Sequence, residues 1–441
     1  MRTFKTKYHL SALLAVFIIW TTGGCASYNL DRAQHQLRTN YSSANYQSAA
    51  EHLEKMESNE VYKTKDAVLL HLEKGLVYHF SGNYMESNQS FETAELEIDA
   101  NFTKSLSRGF KSVLLNDNAL AYDGEDYEDV YINLFRALNY IHLDNYDAAL
   151  VEGRKLAFKL ENIEIRNRGL AETISRDDSL NTVNWQTGDH VVENSAMGHF
   201  LSAVLFAKTG RQDNARIEIE RMNRAFSDQI KAFDFTPLPP QALTQINEPQ
   251  SYNVLITGFS GRSPVKNQND VRFFMDEMDT YLKFSVPSLQ MYPSSVNYIE
   301  TVVGDSISYP LYLIEEMDQV ARDVYKVKEP MIYARALTRS AAKAAGVNKI
   351  SNEISEKNEN LGFIAKLLGI IGQEVSEKAD LRSWQTLPGK AYGNLIRLPP
   401  GTHTIRMNYY SHNHNILYSE DHTIEVFEGN DLALIETLYW Y

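Results

Sequence analysis

One cysteine in 441 residues excludes internal disulfides, Cys-rich zinc sites and CxxC redox chemistry. The chain also lacks any basic excess, because 43 Lys and Arg against 57 Asp and Glu give a formal net charge of −14. A surface of that sign repels a phosphate backbone, so nucleic acid is not an expected partner. Glycine (22) and proline (12) are too sparse for a collagen-like or low-complexity chain. No apolar run reaches the roughly 20 residues that a membrane-spanning helix needs. What is present, 43% hydrophobic and 23% charged residues, is the composition of a globular protein. At about 150 residues per domain, the length predicts two or three domains.

The single cysteine is placed informatively. Arg2, Lys5 and Lys7 precede an apolar run from Leu10 to Trp20, and Thr21, Thr22, Gly23 and Gly24 lead into Cys25. A basic start, a short apolar run and a small-residue exit describe a secretory signal over residues 1–24. The segment resembles a bacterial lipobox at the two glycines before Cys25 and departs from it at Thr22, where leucine is usual. It implies a diacylglycerol on the Cys25 thiol. Ala26 follows in place of a retaining aspartate, which implies the periplasmic face of the outer membrane; the alternative is a soluble periplasmic protein. Acyl chains at about 0.8 kcal/mol per buried CH₂ would hold the chain to a bilayer. Loss of residues 1–24 removes three positive charges and takes the net charge from −14 to −17.

Residues 25–235 read as helical, with one dipeptide recurring in matching contexts. Asn45-Tyr46, Asn83-Tyr84 and Asn145-Tyr146 each open an amphipathic stretch, and Gly210-Arg211-Gln212 opens a degenerate fourth. An apolar helix precedes the second, third and fourth. The pairing resembles tetratricopeptide repeats: Gly75, Tyr78, Phe91 and Ala94 carry the family spacing in one copy, and Ala137, Tyr140 and Ala149 in the next. The offsets of 38 and 62 are irregular, so extra helix is expected over Phe102–Tyr122. Such an array implies a concave groove for a partner peptide, crossed by Tyr78, Tyr84, Tyr140 and Tyr146. The competing expectation is that the C-terminal half fills that groove. The acidic turn Asp123–Asp129 lacks EF-hand spacing and reads as first-turn carboxylates favoured by the helix dipole.

Pro237, Pro239 and Pro240 end the helical period, marking a linker over 236–250. Residues 251–441 read as a mixed α/β domain, so the fold class is α+β multidomain. Strands are expected over 252–259 and 281–289, the latter ending at Pro287. Helices are expected over 314–327 and 331–346, separated at Pro330, with a third from Asn360 to Ala379. Alternating segments from about 395 to 441 predict a small antiparallel sandwich or sheet. Between the first strands, Gly261–Lys266 is no phosphate cradle, since Pro264 lacks an N–H; it reads as a tight connection exposing Lys266.

Catalytic signals are sparse. No GxSxG or HExxH motif occurs, and no cofactor motif does, so a binding protein is expected before an envelope hydrolase. His412 and His414 would share a strand face with His422 across a hairpin, a weak zinc candidate that reads more simply as a solvated tip.

Several segments together, among them Gly261–Lys266, Ala379–Trp384 with Leu387-Pro388, and the Asn-Tyr repeats, resemble a family of proteobacterial outer-membrane lipoproteins. Leu381 and Ser263 depart from that family's pattern. The family has tetratricopeptide-like N-terminal halves and no established activity. Its members tend to be encoded near lipoproteins resembling activators of penicillin-binding proteins, which implies cell-envelope assembly. The resemblance implies a lipid-anchored scaffold with a protein partner. The alternative is a binder of peptidoglycan or another glycan between the two halves, near Lys266, Arg382 and Trp384. In either case Asp380 and Arg382 are expected to form an ion pair holding Trp384.

Overall fold

Four turns of one geometry organise the helical part of the computed structural model, which describes residues 32–108, 117–175, 187–236, 244–275, 280–304, 307–344, 379–428 and 432–441. Each turn ends a helix with a left-handed residue, at Ala44 (φ 56°), Gly82 (79°), Asp144 (54°) and Gly210 (74°). The next N–H, from Asn45, Asn83, Asn145 or Arg211, reaches back five residues to the carbonyl of Asn40, Tyr78, Tyr140 or Phe206 at 2.8–2.9 Å. This Schellman closure satisfies the last carbonyls of each helix. Asn45 and Asn145 then cap the following helix through their side chains, accepting from Ser48 N and Ala148 N. The recurring Asn-Tyr is thus the far end of a helix stop joined to a helix start.

The helices in order are α1 (32–42), α2 (Tyr46–Ser58), α3 (Ala67–Phe80), α4 (Tyr84–Arg108) and α5 (Asp126–His142). Then come α6 (Tyr146–Glu161), α7 (Ile163–Ser175), α8 (Ala196–Lys208) and α9 (Gln212–Ala232). The expected extra helix begins as a continuation of α4, and α7 is an additional helix that periodicity did not single out. Helix α8 is apolar nearly all round and α3 largely so, whereas α5 carries Asp126, Glu128, Asp129, Asn133, Arg136 and Asn139; α5 and α8 are almost entirely buried.

What buries them is the chain's own sheet. Strands β1 (Val254–Ser260), β4 (Tyr298–Val303), β5 (Ile307–Glu315), β6 (Lys390–Ile396), β7 (Gly401–Tyr410), β8 (Ile416–Val426) and β9 (Ala433–Tyr439) form one sheet in the order β8-β7-β4-β5-β6-β1-β9. All its pairs are antiparallel except β1 with β9. The residues after 395 therefore join earlier strands and form no separate sandwich. The sheet curls until its edges meet: Thr437 on β9 donates to Glu420 on β8 at 2.9 Å, and Tyr418 stacks on Tyr439. Val254, Ile256, Ile299, Ile405, Met407 and Tyr409 fill one face. Leu255, Phe259, Ile314, Ala391 and Leu438, on the other, join the helical core beside Phe80 and Phe135. Among the described residues, the array's apolar face is covered by this sheet.

Two further elements complete the joint. Strands β2 (Arg262–Met275) and β3 (Thr280–Tyr292) form a separate hairpin, with Pro287 paired to Gln268 inside β3 and not ending it. One helix, α10 (Met317–Ala344), runs straight through Pro330 where two helices were expected. Proline removes an intrahelical N–H and pushes its ring against the preceding turn. Here the helix is braced from outside at the same turn: Gly188 N–H donates to the Val327 carbonyl at 3.1 Å. A Cβ on Gly188 would stand 2.3 Å from the Lys326 oxygen, so only glycine reaches that close. Asp323 on α10 accepts from Val191 and Val192 N–H, tying the same loop to the helix.

The signal segment with Cys25, Pro237, Pro239, Pro240, the apolar stretch 360–371 and Gly429-Asn430 lie outside the described residues.

Candidate functional site

Where the two sheet edges meet, they face the α3–α4 turn and the end of α5 across a cleft of about 390 Å³. Its floor is Glu436 on β9, buried between two imidazoles. His142 Nε2 lies 2.6 Å from Glu436 Oε2 and His79 Nε2 lies 3.3 Å from the same oxygen. Thr257, paired with Glu436 across β1 and β9, donates to its other oxygen at 3.2 Å. Burial alone would raise this carboxyl; the charge on His79 and the bonds from both rings outweigh it and hold Glu436 well below the usual carboxylate range. Asn139 fixes one ring: its amide nitrogen donates to Ser87 and Asn88, and its oxygen faces His79 Nδ1 at 2.7 Å.

The cleft walls are aromatic. Tyr84 stacks flat on His142, with centroids 4.1 Å apart and planes within 8°, and Tyr46 and Phe80 stack beside it. On the facing strand, His422 Nε2 lies 3.5 Å from Glu420 Oε2. Burial works against ionisation of Glu420, but His422 and Thr437 prevail and lower it too. The cleft combines flat apolar faces with two ionised acceptors, the equipment for holding a hydroxyl-bearing ring.

Of the four tyrosines expected to cross one groove, only Tyr84 lines this cleft. All four are half-buried, and Tyr78, Tyr140 and Tyr146 pack against the core. Tyr78 bonds Glu54, and Tyr146 OH meets the backbone of Leu432, so they do not form a shared surface. His412 and His414 fall in the turn after β7, not on a strand face, and His414 faces Tyr298 while His422 points into the cleft. Among the described residues no group of three His, Cys, Asp or Glu is arranged to hold a metal ion.

Lys266, Asp380, Arg382 and Trp384 converge at a second place, which is a joint. Lys266 is not exposed: it lies in β2, buried, with Nζ 2.6 Å from Glu125 Oε1 on the helical side. Local sequence marked a turn there and gave no sign of a partner 141 residues away. Arg382 pairs with Asp380 (2.7 Å) and Asp66 (2.9 Å) and donates to the carbonyls of Lys65, Asp117 and Leu120. The Trp384 ring is 1% exposed and packs edge-on against Phe91 and Phe135. Its backbone N–H donates to Glu128 at 2.6 Å, while Gln385 N–H and the Thr386 hydroxyl donate to Glu73. Burial pushes both Glu73 and Glu128 up to about 7; Glu125 adds to the rise at Glu128. As expected, Asp126, Glu128 and Asp129 stand in the first turn of α5, but they are also interior groups: Asp126 faces Lys328 at 3.3 Å, and Asp129 takes Lys159 and Arg166, while Asp123 is exposed. Ser263 and Lys266 have Ser-x-x-Lys spacing, but on a strand and with the lysine ion-paired, which removes it as a base.

Sequence reasoning did not find Glu436, His79 or His142. Their only local signal is polarity at otherwise apolar positions, such as Glu436 within ALIETLY. No helix among the described residues is long and apolar enough to cross a membrane. Comparison with protein-family models, with curated proteins and with solved structures finds no match to this chain, so its sites are read from their geometry.

Proposed function

We propose that the chain is a lipid-anchored cell-envelope protein that binds a glycan in the cleft between its helices and its sheet. The carrying observation is the buried His79–Glu436–His142 cluster beneath the Tyr84 ring, a fixed, ionised acceptor under an aromatic platform. Sugar rings present C–H faces that stack on aromatics and hydroxyls that donate to carboxylates, which matches both features. Cys25, after a basic start and an apolar run, is the proposed lipid attachment point, with the outer membrane's periplasmic face as the location.

The helical half is proposed to be a tetratricopeptide-like array. The four matching turns support this, as does Gly75, where a Cβ would stand 2.5 Å from the Phe91 ring, so that α3 and α4 pack backbone to ring. With its inner face occupied by the sheet, the array would recruit a protein partner by its outer helices. Met85 and Leu96 on α4, Val151 and Phe158 on α6 and Ile165 on α7 are exposed there, which favours this second role as a scaffold.

Co-sedimentation of the full chain with purified peptidoglycan sacculi tests the glycan reading. The bound fraction should drop at least tenfold for Tyr84→Ala, with helix content unchanged. Equal retention of wild type and variant would show that the cleft is not where glycan binds.

A further inference from the structure

A smaller cavity, of about 100 Å³, lies between the helices and α10, lined among others by Tyr122, Leu170, Met331, Ile332 and Arg335. Its charges can be matched one by one. Asp117 is paired with Arg339 at 3.0 Å, Glu125 with Lys266 at 2.6 Å, and Asp380 with Arg382 at 2.7 Å. Lys328 faces Asp126 at 3.3 Å, and Asp123 stands exposed at the rim. Arg335 remains: its Nε and Nη2 are buried and have no hydrogen-bond partner. A guanidinium does not lose its proton in proteins, so this is a fixed positive charge with unanswered donors on a cavity wall.

We propose that Arg335 is a carboxylate-binding residue and that this cavity takes a small monocarboxylate, its alkyl end lying against Leu170, Met331 and Ile332. The planar fork of a guanidinium matches the two oxygens of a carboxylate. The volume corresponds to about three waters at roughly 30 Å³ each, enough for a carboxylate with a few carbons and too small for a sugar ring. A phosphate dianion would bring its second charge among the carboxylates of Asp117, Glu125 and Asp380, so the monoanion is the better fit. The two covered nitrogens reach the ligand by rotation of the guanidinium, a movement with no hydrogen bond of theirs to break. The site is independent of the glycan cleft and stands or falls separately.

The test follows the arginine Nε–H resonances of the isotope-labelled full chain during titration with butyrate and, in parallel, inorganic phosphate. Butyrate should shift one resonance saturably, that resonance should be missing in Arg335→Gln, and phosphate at equal concentration should leave it in place. Calorimetry on Arg335→Lys, which keeps the charge without the fork, should show at least fivefold weaker butyrate binding. No saturable shift with butyrate, an equal shift with phosphate, or undiminished binding by the lysine variant would each overturn the assignment.

Discussion

Arg382 donates to Asp66 at 2.9 Å across 316 residues of sequence, and with that bond the segment after Ala379 is clamped onto the helical array. The same guanidinium serves Asp380 and three backbone carbonyls, so its removal strands two buried carboxylates at once. Arg382→Ala should cost about 3–5 kcal/mol. Arg382→Lys should recover only part of that, because an ammonium does not span the same acceptors. Urea unfolding monitored by tryptophan fluorescence measures both.

Glu73 and Glu128, which hold the same segment by its backbone, set a pH dependence. Their folded values near 7 lie above the ordinary carboxyl range, so the folded state binds more protons than the unfolded state between about pH 4.5 and 7. Their stabilising contribution is complete below that window and is lost as pH rises through 7. Glu420, Glu436 and Asp380 are lowered and act oppositely, contributing above about pH 4.5 and losing their effect as acid protonates them. Denaturant midpoints measured from pH 4 to 8 should therefore peak between pH 5 and 6. Glu128→Gln should flatten the alkaline limb.

The four helix stops differ in strain. Glycine adopts the left-handed conformation freely at Gly82 and Gly210, whereas alanine at position 44 bears a cost of about 1 kcal/mol. Ala44→Gly should stabilise by about that amount, and Gly82→Ala and Gly210→Ala should each destabilise by a similar one. Thermal unfolding followed by circular dichroism checks the signs.

These turns were also the most legible part of the sequence, since a Schellman stop followed by an Asn cap is written within six residues, as in Asn40–Asn45. Joints across the chain were not. Lys266 and Glu125 look like surface groups until β2 meets the acidic turn, and Pro330 looks like a break until the Gly188 loop docks on that turn of α10, its N–H donating to the Val327 carbonyl. Asn-Tyr periodicity indicated helices, but the burial of α3, α5 and α8 depends on which partner covers them, and that partner lies after residue 253. Tyr84 and His422 were each visible as unusual residues; only the curled sheet brings them to one cleft.

Cys25→Ser tests the anchor. The variant should move from the outer-membrane fraction to the soluble periplasm, because the net charge of −17 left after removal of residues 1–24 gives no attraction to anionic headgroups. Labelled palmitate should be incorporated by the wild type and not by the variant.

The glycan cleft is the central claim, and calorimetric titration of the full chain with soluble glycan strands tests it most directly. Wild type should bind one strand per chain, Met85→Ala, altered at the exposed neighbour, should bind equally, and Tyr84→Ala should bind at least tenfold more weakly. Binding that is absent in the wild type, or that survives unchanged in Tyr84→Ala, would contradict the account.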